Sequence, residues 1–201
     1  MATLARFRDG AAVYHIAQGQ SNLWCVMSGL LRLSTTMNQD EPKQVHVVGP
    51  GIWFGELFCC MNRPGWMETR VRGATELLLI RRAAFVGIAK RHPEVWLAVA
   101  QLASLNQMLS ILAGEDLMFR NPMKRLAAVL LRLTSNRSAT QAGAPIEVIP
   151  ETQSEIAVAS NLSTTVLTGL LKKLGAPGAV KSDYGKIRVL SPALLKRQLG
   201  E

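Results

Sequence analysis

The chain has 201 residues, of which 23 are Lys or Arg and 14 are Asp or Glu, so its formal net charge is +9. This length allows one large domain or two small ones, and the charge indicates a polyanionic partner. Three sparse cysteines do not form a secreted disulfide framework, and no contiguous apolar run reaches the roughly 18 residues that span a bilayer.

The positive excess lies in the C-terminal part of the chain. Residues from Arg120 onward contain 12 Lys or Arg against 5 Asp or Glu, whereas the preceding residues contain 11 against 9. A basic half is also typical of an ordinary solvated surface, so charge alone does not identify the partner. The N-terminus lacks a signal-peptide core, and we expect a cytoplasmic protein.

Short β-rich runs fill the chain between Phe7 and Ile80, where glycine, proline, asparagine and aspartate interrupt them. The predicted strands are 13–16, 23–27, 30–35, 44–48, 69–72 and 77–80. The predicted turns are Gly10, 19–20, Gly29, 38–42 and 49–51. Such frequent interruption is typical of an antiparallel sandwich or barrel.

A long helix is predicted to begin at the His92-Pro93 step and to run to Phe119, because proline favours a first helical turn. Apolar residues spaced 3 and 4 apart form a heptad seam along it. The seam residues are Val95, Ala98, Leu102, Leu105, Leu109 and Leu112. A second apolar stripe contains Trp96, Val99, Ala100, Ala103 and Ile111. We expect one face to pack on the β-rich region and the seam to meet a second copy of the chain, with a single buried helix as the alternative.

A pair of short helices is predicted between Thr152 and Leu174. Thr152 and Glu155 have capping-box spacing, Asn161 suits the turn, and Ser163 is placed to cap the second helix. A hinge at 121–122, a helix at 123–133, a polar loop at 134–145 and a strand at 146–149 precede the pair. After it, a hairpin around 183–185 predicts a wing, and Ser191-Pro192 begins a last helix.

A small barrel, a long dimerising helix and a winged helix-turn-helix, in this order, resemble the Crp/Fnr family of bacterial transcription regulators. Residues 54–57 (Phe-Gly-Glu-Leu) are similar to the opening of the family's phosphate-binding cassette, and Val71-Arg72 to the strand after it. Residues 152–174 match its helix-turn-helix in spacing. The resemblance covers nearly the whole chain and implies an α+β fold. Its parts are an antiparallel jelly-roll β-barrel effector-type domain (1–92), a dimerisation helix (93–119) and a winged helix-turn-helix DNA-binding domain (120–201).

The resemblance implies that the second helix of the pair enters the major groove with its N-terminal residues nearest the bases. Family members commonly read bases there with Arg and Glu, followed by another Arg, but this sequence has Thr164, Thr165 and Gly169 at those positions. We therefore expect weaker specificity per contact, with lysines meeting phosphates. The predicted DNA-binding residues are Thr152, Gln153, Ser163, Thr164, Thr165, Thr168, Lys172, Lys173, Lys181, Lys186 and Arg188.

The barrel departs from family members that bind cyclic AMP, which hold the cyclic phosphate with an Arg-Ser pair. Met67 and Glu68 occupy those positions here, and we expect no cyclic-nucleotide binding because glutamate repels phosphate. Glu56 is expected to accept hydrogen bonds from the cassette backbone. The candidate effector pocket contains Glu56, Leu57, Met67, Glu68 and Arg70. An effector bound there would bias the hinge at 116–122.

No cofactor or metal is expected. An iron–sulfur cluster needs four ligands where this chain has three cysteines, and His15 and His46 lie in no haem motif. The His and Glu cluster of a cupin-like enzyme is not present in the sequence. Cys59 and Cys60 are expected to alternate in a partly buried strand, with a strained redox bridge as the alternative.

These patterns favour a homodimeric, sequence-specific transcription regulator and not an enzyme. Its expected partners are duplex DNA with an inverted repeat, a second copy of the chain and RNA polymerase, with no membrane. The alternatives are a sensory barrel module that signals through protein contacts, and a thiol-responsive regulator of the same fold.

Overall fold

The computed structural model describes residues 2–14, 21–35, 43–62, 67–137 and 145–201. His15, the predicted turns 19–20 and 38–42, and residues 138–144 of the predicted loop lie outside these ranges. The described residues form two compact units that divide within the long helix, between Met108 and Leu109. This division falls inside the helix that the sequence assigns to a separate segment, 93–119.

The first unit is built on an antiparallel sheet in which the strand order is β1-β6-β3-β4, with β2 paired to β6 and β5 to β3. The strands are β1 (Ala2–Phe7), β2 (Ala12–Tyr14), β3 (Leu23–Thr35), β4 (Lys43–Val48), β5 (Trp53–Phe54) and β6 (Met67–Ile80). The helices are α1 (Glu56–Met61), α2 (Arg82–Arg91) and the first part of α3 (Val95–Met118). The sequence did not predict β1, β5, α1 or α2.

The two long strands β3 and β6 correct the prediction of four separate strands. They pair from Leu23 opposite Ile80 to Thr35 opposite Met67, with irregular register around Ser28. Gly29 adopts a φ of 84°, and a Cβ there would collide with Thr75. The glycine therefore makes a bulge within a continuous strand and not a turn between two strands.

Part of the sheet core lies around Leu31. Leu31 lies opposite both Val48 and Val71, and all three side chains are buried. A second apolar cluster forms where α1 and α2 meet α3, with Cys59, Phe85 and Val99 among its residues. The Phe85 and Trp96 rings meet edge to face with centroids 5.1 Å apart. These contacts fix the N-terminal part of α3 to the first unit.

The second unit contains the end of α3 and the elements that follow it. These are α4 (Pro122–Leu133), β7 (Val148–Ile149), α5 (Gln153–Ala159), α6 (Thr164–Gly175), β8 (Val180–Asp183), β9 (Lys186–Val189) and α7 (Pro192–Leu199). The strands form a sheet in the order β7-β9-β8. α4 is buried from Leu126 to Leu133 and packs on α6 and α7. Asn121 caps α4 by accepting hydrogen bonds from two backbone N–H groups.

The exposed apolar stripe of α3 is not the predicted seam. Five seam residues are half-buried within the single chain, and Ala98 is exposed. The most exposed large apolar side chains of α3 are Leu97 at 65%, Ile111 at 64% and Met118 at 80%. Because a helix turns about 100° per residue, these three lie on the side opposite Leu102. Residue spacing alone predicted the seam. Burial distinguishes the face of α3 that packs against its own chain from the face that is exposed.

α3 is also long and apolar enough, by length and composition, to cross a membrane. Its contiguous apolar runs are nevertheless short, because Gln101, Ser104 and Asn106 interrupt them. Within α3, Val99 and Asp116 are buried, and the other residues are half-buried or exposed.

Candidate nucleic-acid interface

Capping residues fix where α5 and α6 begin. The Thr152 backbone N–H donates to Glu155 Oε2 at 2.8 Å, and the Glu155 N–H donates to Thr152 Oγ1 at 3.2 Å, which completes the predicted capping box. Asn161 adopts a φ of 49° in the turn. Ser163 Oγ then accepts from the Val166 N–H at 3.3 Å and begins α6.

α6 has one buried face and one exposed face. Leu167, Leu171 and Leu174 are buried, while Leu170 is half-buried. The exposed residues are Ser163, Thr164, Thr165, Val166, Gly169, Lys172, Lys173 and Gly175. Hydroxyls therefore lie at the N-terminal end and ammonium groups near the C-terminal end. This arrangement places short hydrogen-bonding side chains next to longer cationic ones, as a surface that meets base edges and phosphates requires.

The wing is the β8–β9 hairpin, whose turn is Tyr184-Gly185. Tyr184 is fully exposed, Lys181 and Arg188 are exposed, and Lys186 is half-buried. Asp183 Oδ2 lies 3.3 Å from Arg188 Nε, and Asp183 Oδ1 lies 3.9 Å from Lys181 Nζ. An acidic group of the predicted hairpin thus stands between two of the predicted phosphate-binding side chains.

Two predicted DNA-binding residues, Gln153 and Thr168, are bonded to each other. Thr168 Oγ1 lies 2.9 Å from Gln153 Oε1, and Gln153 Nε2 lies 2.9 Å from Ser182 Oγ on β8. Gln153 and Thr168 are half-buried, unlike the threonines at the start of α6. Sequence reasoning missed Ser182, since its partner is 29 residues away along the chain.

Comparison with known families matches this architecture. A model described as cyclic nucleotide-binding domain matches residues 4–92, and one described as Crp-like helix-turn-helix domain matches residues 124–198. The chain belongs to the Crp/Fnr family. It is accordingly a transcriptional regulator with a DNA-binding helix-turn-helix, and this family is one of regulators, not of enzymes.

Relatives of this Crp/Fnr regulator extend over nearly the whole chain. The cyclic AMP receptor protein of Thermus thermophilus is 25% identical over 190 residues, which cover 94% of this chain and 85% of the relative. A solved CRP/FNR-family transcriptional regulator, also from Thermus thermophilus, has a TM-score of 0.73 at 22% identity and covers 99% of both chains. FixK2 from Bradyrhizobium japonicum has a TM-score of 0.76 at 16% identity, covering 98% of this chain and 96% of its own. These solved structures share the fold.

The candidate effector pocket of the regulator has internal partners for its charged groups. Arg70 Nη2 lies 2.6 Å from Glu68 Oε1, and the Arg70 side chain also reaches the Gly10 carbonyl. Glu56 is buried and accepts from Asn106 Nδ2 of α3 at 2.8 Å, so a side chain is its partner. Leu57 is exposed and Met67 half-buried.

Cys59 and Cys60 lie on α1, which corrects their expected place in a strand. Cys59 is buried and Cys60 is exposed. Burial, with smaller contributions from Cys60 and Glu56, raises the pKa of Cys59 to about 11. Burial also raises the pKa of Cys60. Adjacent helical side chains diverge by about 100°, so a bridge between them requires α1 to unfold locally. Within the described ranges, no group of three or more His, Cys, Asp or Glu could hold a metal ion.

Proposed function

We propose that this chain is a homodimeric, sequence-specific regulator that binds an inverted repeat in duplex DNA. The observation that carries the proposal is the exposed face of α6, with hydroxyls at its N-terminal end and lysines after them. The N-terminal residues of a recognition helix approach base edges in the major groove. Threonine offers one hydroxyl and one methyl, which suits small contacts with several bases, including the methyl of thymine.

The dimer places two α6 helices on one duplex. We assign the contact between copies to the exposed side of α3, with Leu97, Ile111 and Met118, because this apolar side has no cover within the described chain. Leu97, Ile111 and Met118 lie on a seven-residue spacing, and the polar Ser104 occupies the position of that spacing between Leu97 and Ile111. Buried Val99 and the Asn106 bond to Glu56 hold α3 to folded protein, which favours a second chain over lipid as the cover. Half-sites about 34 Å apart follow for such a dimer.

Cyclic AMP is not the effector in this proposal. Glu68 and Met67 stand where the family's phosphate-binding pair is expected, and Arg70, the nearby cation, already pairs with Glu68. Bringing phosphate beside Glu68 would add like-charge repulsion in a partly desolvated site. Glu56, moreover, already accepts a hydrogen bond from Asn106. The DNA-binding form then needs no cyclic nucleotide, and the effector, where one acts, is of another chemical class.

We place the regulator in the cytoplasm, with RNA polymerase as a further partner at its promoters. A sensory module acting only through protein contacts is the competing function. The two are separated by binding to duplex DNA, since a basic exposed helix predicts affinity that falls steeply with salt. A thiol-responsive regulator is disfavoured by the raised pKa values of Cys59 and Cys60, because a raised pKa leaves less reactive thiolate at neutral pH.

Two substitutions on α6 test how the proposed surface works. Lys172→Ala is expected to weaken binding to all duplexes alike and to reduce the salt slope by about one, because a lysine at this place meets phosphate.

Thr165→Ala is expected to relax preference at one base pair of each half-site, by less than the ~1–3 kcal/mol of a bidentate contact. Fluorescence anisotropy titrations at several salt concentrations measure both effects. If Thr165→Ala changes the salt slope and Lys172→Ala changes base preference, the assigned orientation of α6 is wrong.

A further inference from the structure

Gln153 bridges three elements of the DNA-binding domain. Its amide lies 2.9 Å from Thr168 Oγ1 in the middle of α6 and 2.9 Å from Ser182 Oγ on the wing strand β8. Gln153 itself begins α5 directly after the Thr152 cap. One side chain therefore ties the start of α5, the recognition helix and the wing together.

The bridge forms with either orientation of the Gln153 amide, because both of its partners are hydroxyl groups, which donate and accept. The Thr168 hydroxyl also lies 2.9 Å from the Thr164 carbonyl, and it has one proton to donate. When that proton goes to Thr164, the amide turns its N–H toward Thr168 and its oxygen toward Ser182. Either orientation keeps both bonds, so the three elements stay connected.

The two hydroxyl bonds use one N–H and one lone pair of the Gln153 amide and hold the amide between α6 and β8. Gln153 and Thr168 are half-buried, whereas Thr164 and Thr165 stand exposed one turn earlier on α6. Short side chains such as threonine read bases only when the helix is held within a fraction of an ångström, since their reach is small. The wing carries exposed Lys181 and Arg188, which are suited to phosphates.

We propose that Gln153 is a positioning residue that sets the angle between α6 and the wing and thereby determines sequence specificity, without itself reading bases or phosphates. This inference rests on the proposed DNA-binding function. It also reassigns Gln153 and Thr168, which the sequence placed among the residues that touch DNA. The reading residues are then the exposed threonines at the start of α6.

A mutant cycle tests the bridge with two probes: a duplex enriched by the unchanged protein from a random pool, and a mixed-sequence duplex of equal length. Gln153→Ala is expected to weaken binding to the enriched duplex about tenfold, the effect of one or two lost hydrogen bonds, while affinity for the mixed duplex and the salt slope stay unchanged. Thr168→Val and Ser182→Ala are each expected to give a smaller loss. Adding either one to Gln153→Ala should change binding by less than about twofold, because the bridge is already broken.

Thr168→Ser is the conservative control, since it keeps the hydroxyl and should bind as the unchanged protein does. Additive losses would overturn the proposal, because they would mean that each side chain contacts DNA independently. Equal losses on both duplexes would also overturn it and would make Gln153 a phosphate contact. If Gln153→Ala does not fold, the pair Thr168→Val and Ser182→Ala with their double variant gives the same decision. Failure of the unchanged protein to bind either duplex would instead refute the proposed function.

Discussion

Asp116→Ala is expected to lower the free energy of unfolding by about 3–5 kcal/mol, the effect of leaving buried guanidinium groups without their counter-charge. Asp116 Oδ2 accepts from Arg132 Nε at 2.9 Å and Oδ1 from Arg137 Nε at 3.0 Å. The side chains are 0%, 4% and 9% exposed, in that order. Glu201 completes the cluster by accepting from Arg137 Nη1 at 2.9 Å.

The electrostatics of the two arginines explain the size of this effect. Burial lowers the pKa of Arg132, and the charge and hydrogen bond of Asp116 oppose that shift. At Arg137 burial acts in the same direction, but Asp116, Glu201 and, to the smallest extent, Glu115 outweigh it and the pKa is raised. Both guanidinium groups stay charged at neutral pH. Removing Asp116 thus removes its favourable charge and hydrogen bonds at the two arginines, while the cost of burying the two guanidinium charges remains.

Urea unfolding monitored by circular dichroism measures the loss. Glu115→Ala is the matched control, because Glu115 is the neighbouring acid on α3, is exposed and makes the smallest of the charge contributions at Arg137. Its substitution should change stability by no more than about 0.5 kcal/mol. A stability of the Asp116→Ala protein within about 1 kcal/mol of the unchanged one would show that the cluster does not hold the end of α3.

This cluster also bears on the hinge that the sequence predicted at 116–122. Asp116 binds two arginines that follow the hinge in sequence, and Asn121 caps α4. The first residue of the hinge is therefore fastened to the helix that follows it. An effector that changes the backbone angle at Asp116 itself would have to break this cluster.

Ile111→Glu is expected to convert the dimer to monomers and to weaken operator binding at least about 100-fold. Ile111 is 64% exposed in the single chain, so a charge there is solvated in the monomer. In the proposed contact between two α3 helices the same charge would be buried without a partner. Monomers then lose the advantage of holding two linked reading helices on one site. Analytical ultracentrifugation and anisotropy titrations measure the two effects.

Leu105→Glu is the informative comparison, since Leu105 belongs to the seam predicted from spacing but is half-buried within the single chain. We expect it to lower the stability of the protomer itself, whereas Ile111→Glu should keep the circular dichroism spectrum of the folded chain. Monomers formed only by Leu105→Glu, with a stable dimer for Ile111→Glu, would return the contact to the spacing-predicted seam.

Local chemistry made the helix-turn-helix predictable. The Thr152–Glu155 capping box, the positive φ of Asn161 and the Ser163 cap depend on neighbours within a few residues, and all three are present as expected. The long strands were harder, because Gly29 reads as a turn in sequence and becomes a bulge only when Thr75 packs against it.

Contacts between distant residues account for what the sequence did not reveal. The Asn106 bond to Glu56 spans 50 positions, and the Arg132 bond to Asp116 joins two charges that look like separate surface residues. The Gln153 bridge likewise depends on how the wing folds back. On α3, the two apolar stripes read from spacing do not separate in the structure, because Val95 of the seam and Val99 of the second stripe both pack in the cluster that contains Phe85 of α2.

The most direct test of the central claim is selection of bound duplexes from a random pool at two salt concentrations, with and without reductant and without any nucleotide added. We predict enrichment of an inverted repeat whose half-sites are about 10–10.5 base pairs apart, centre to centre. Higher salt should lower the amount bound and keep the same repeat, and reductant should change neither result. A pool that shows no enriched inverted repeat under any of these conditions would contradict the account.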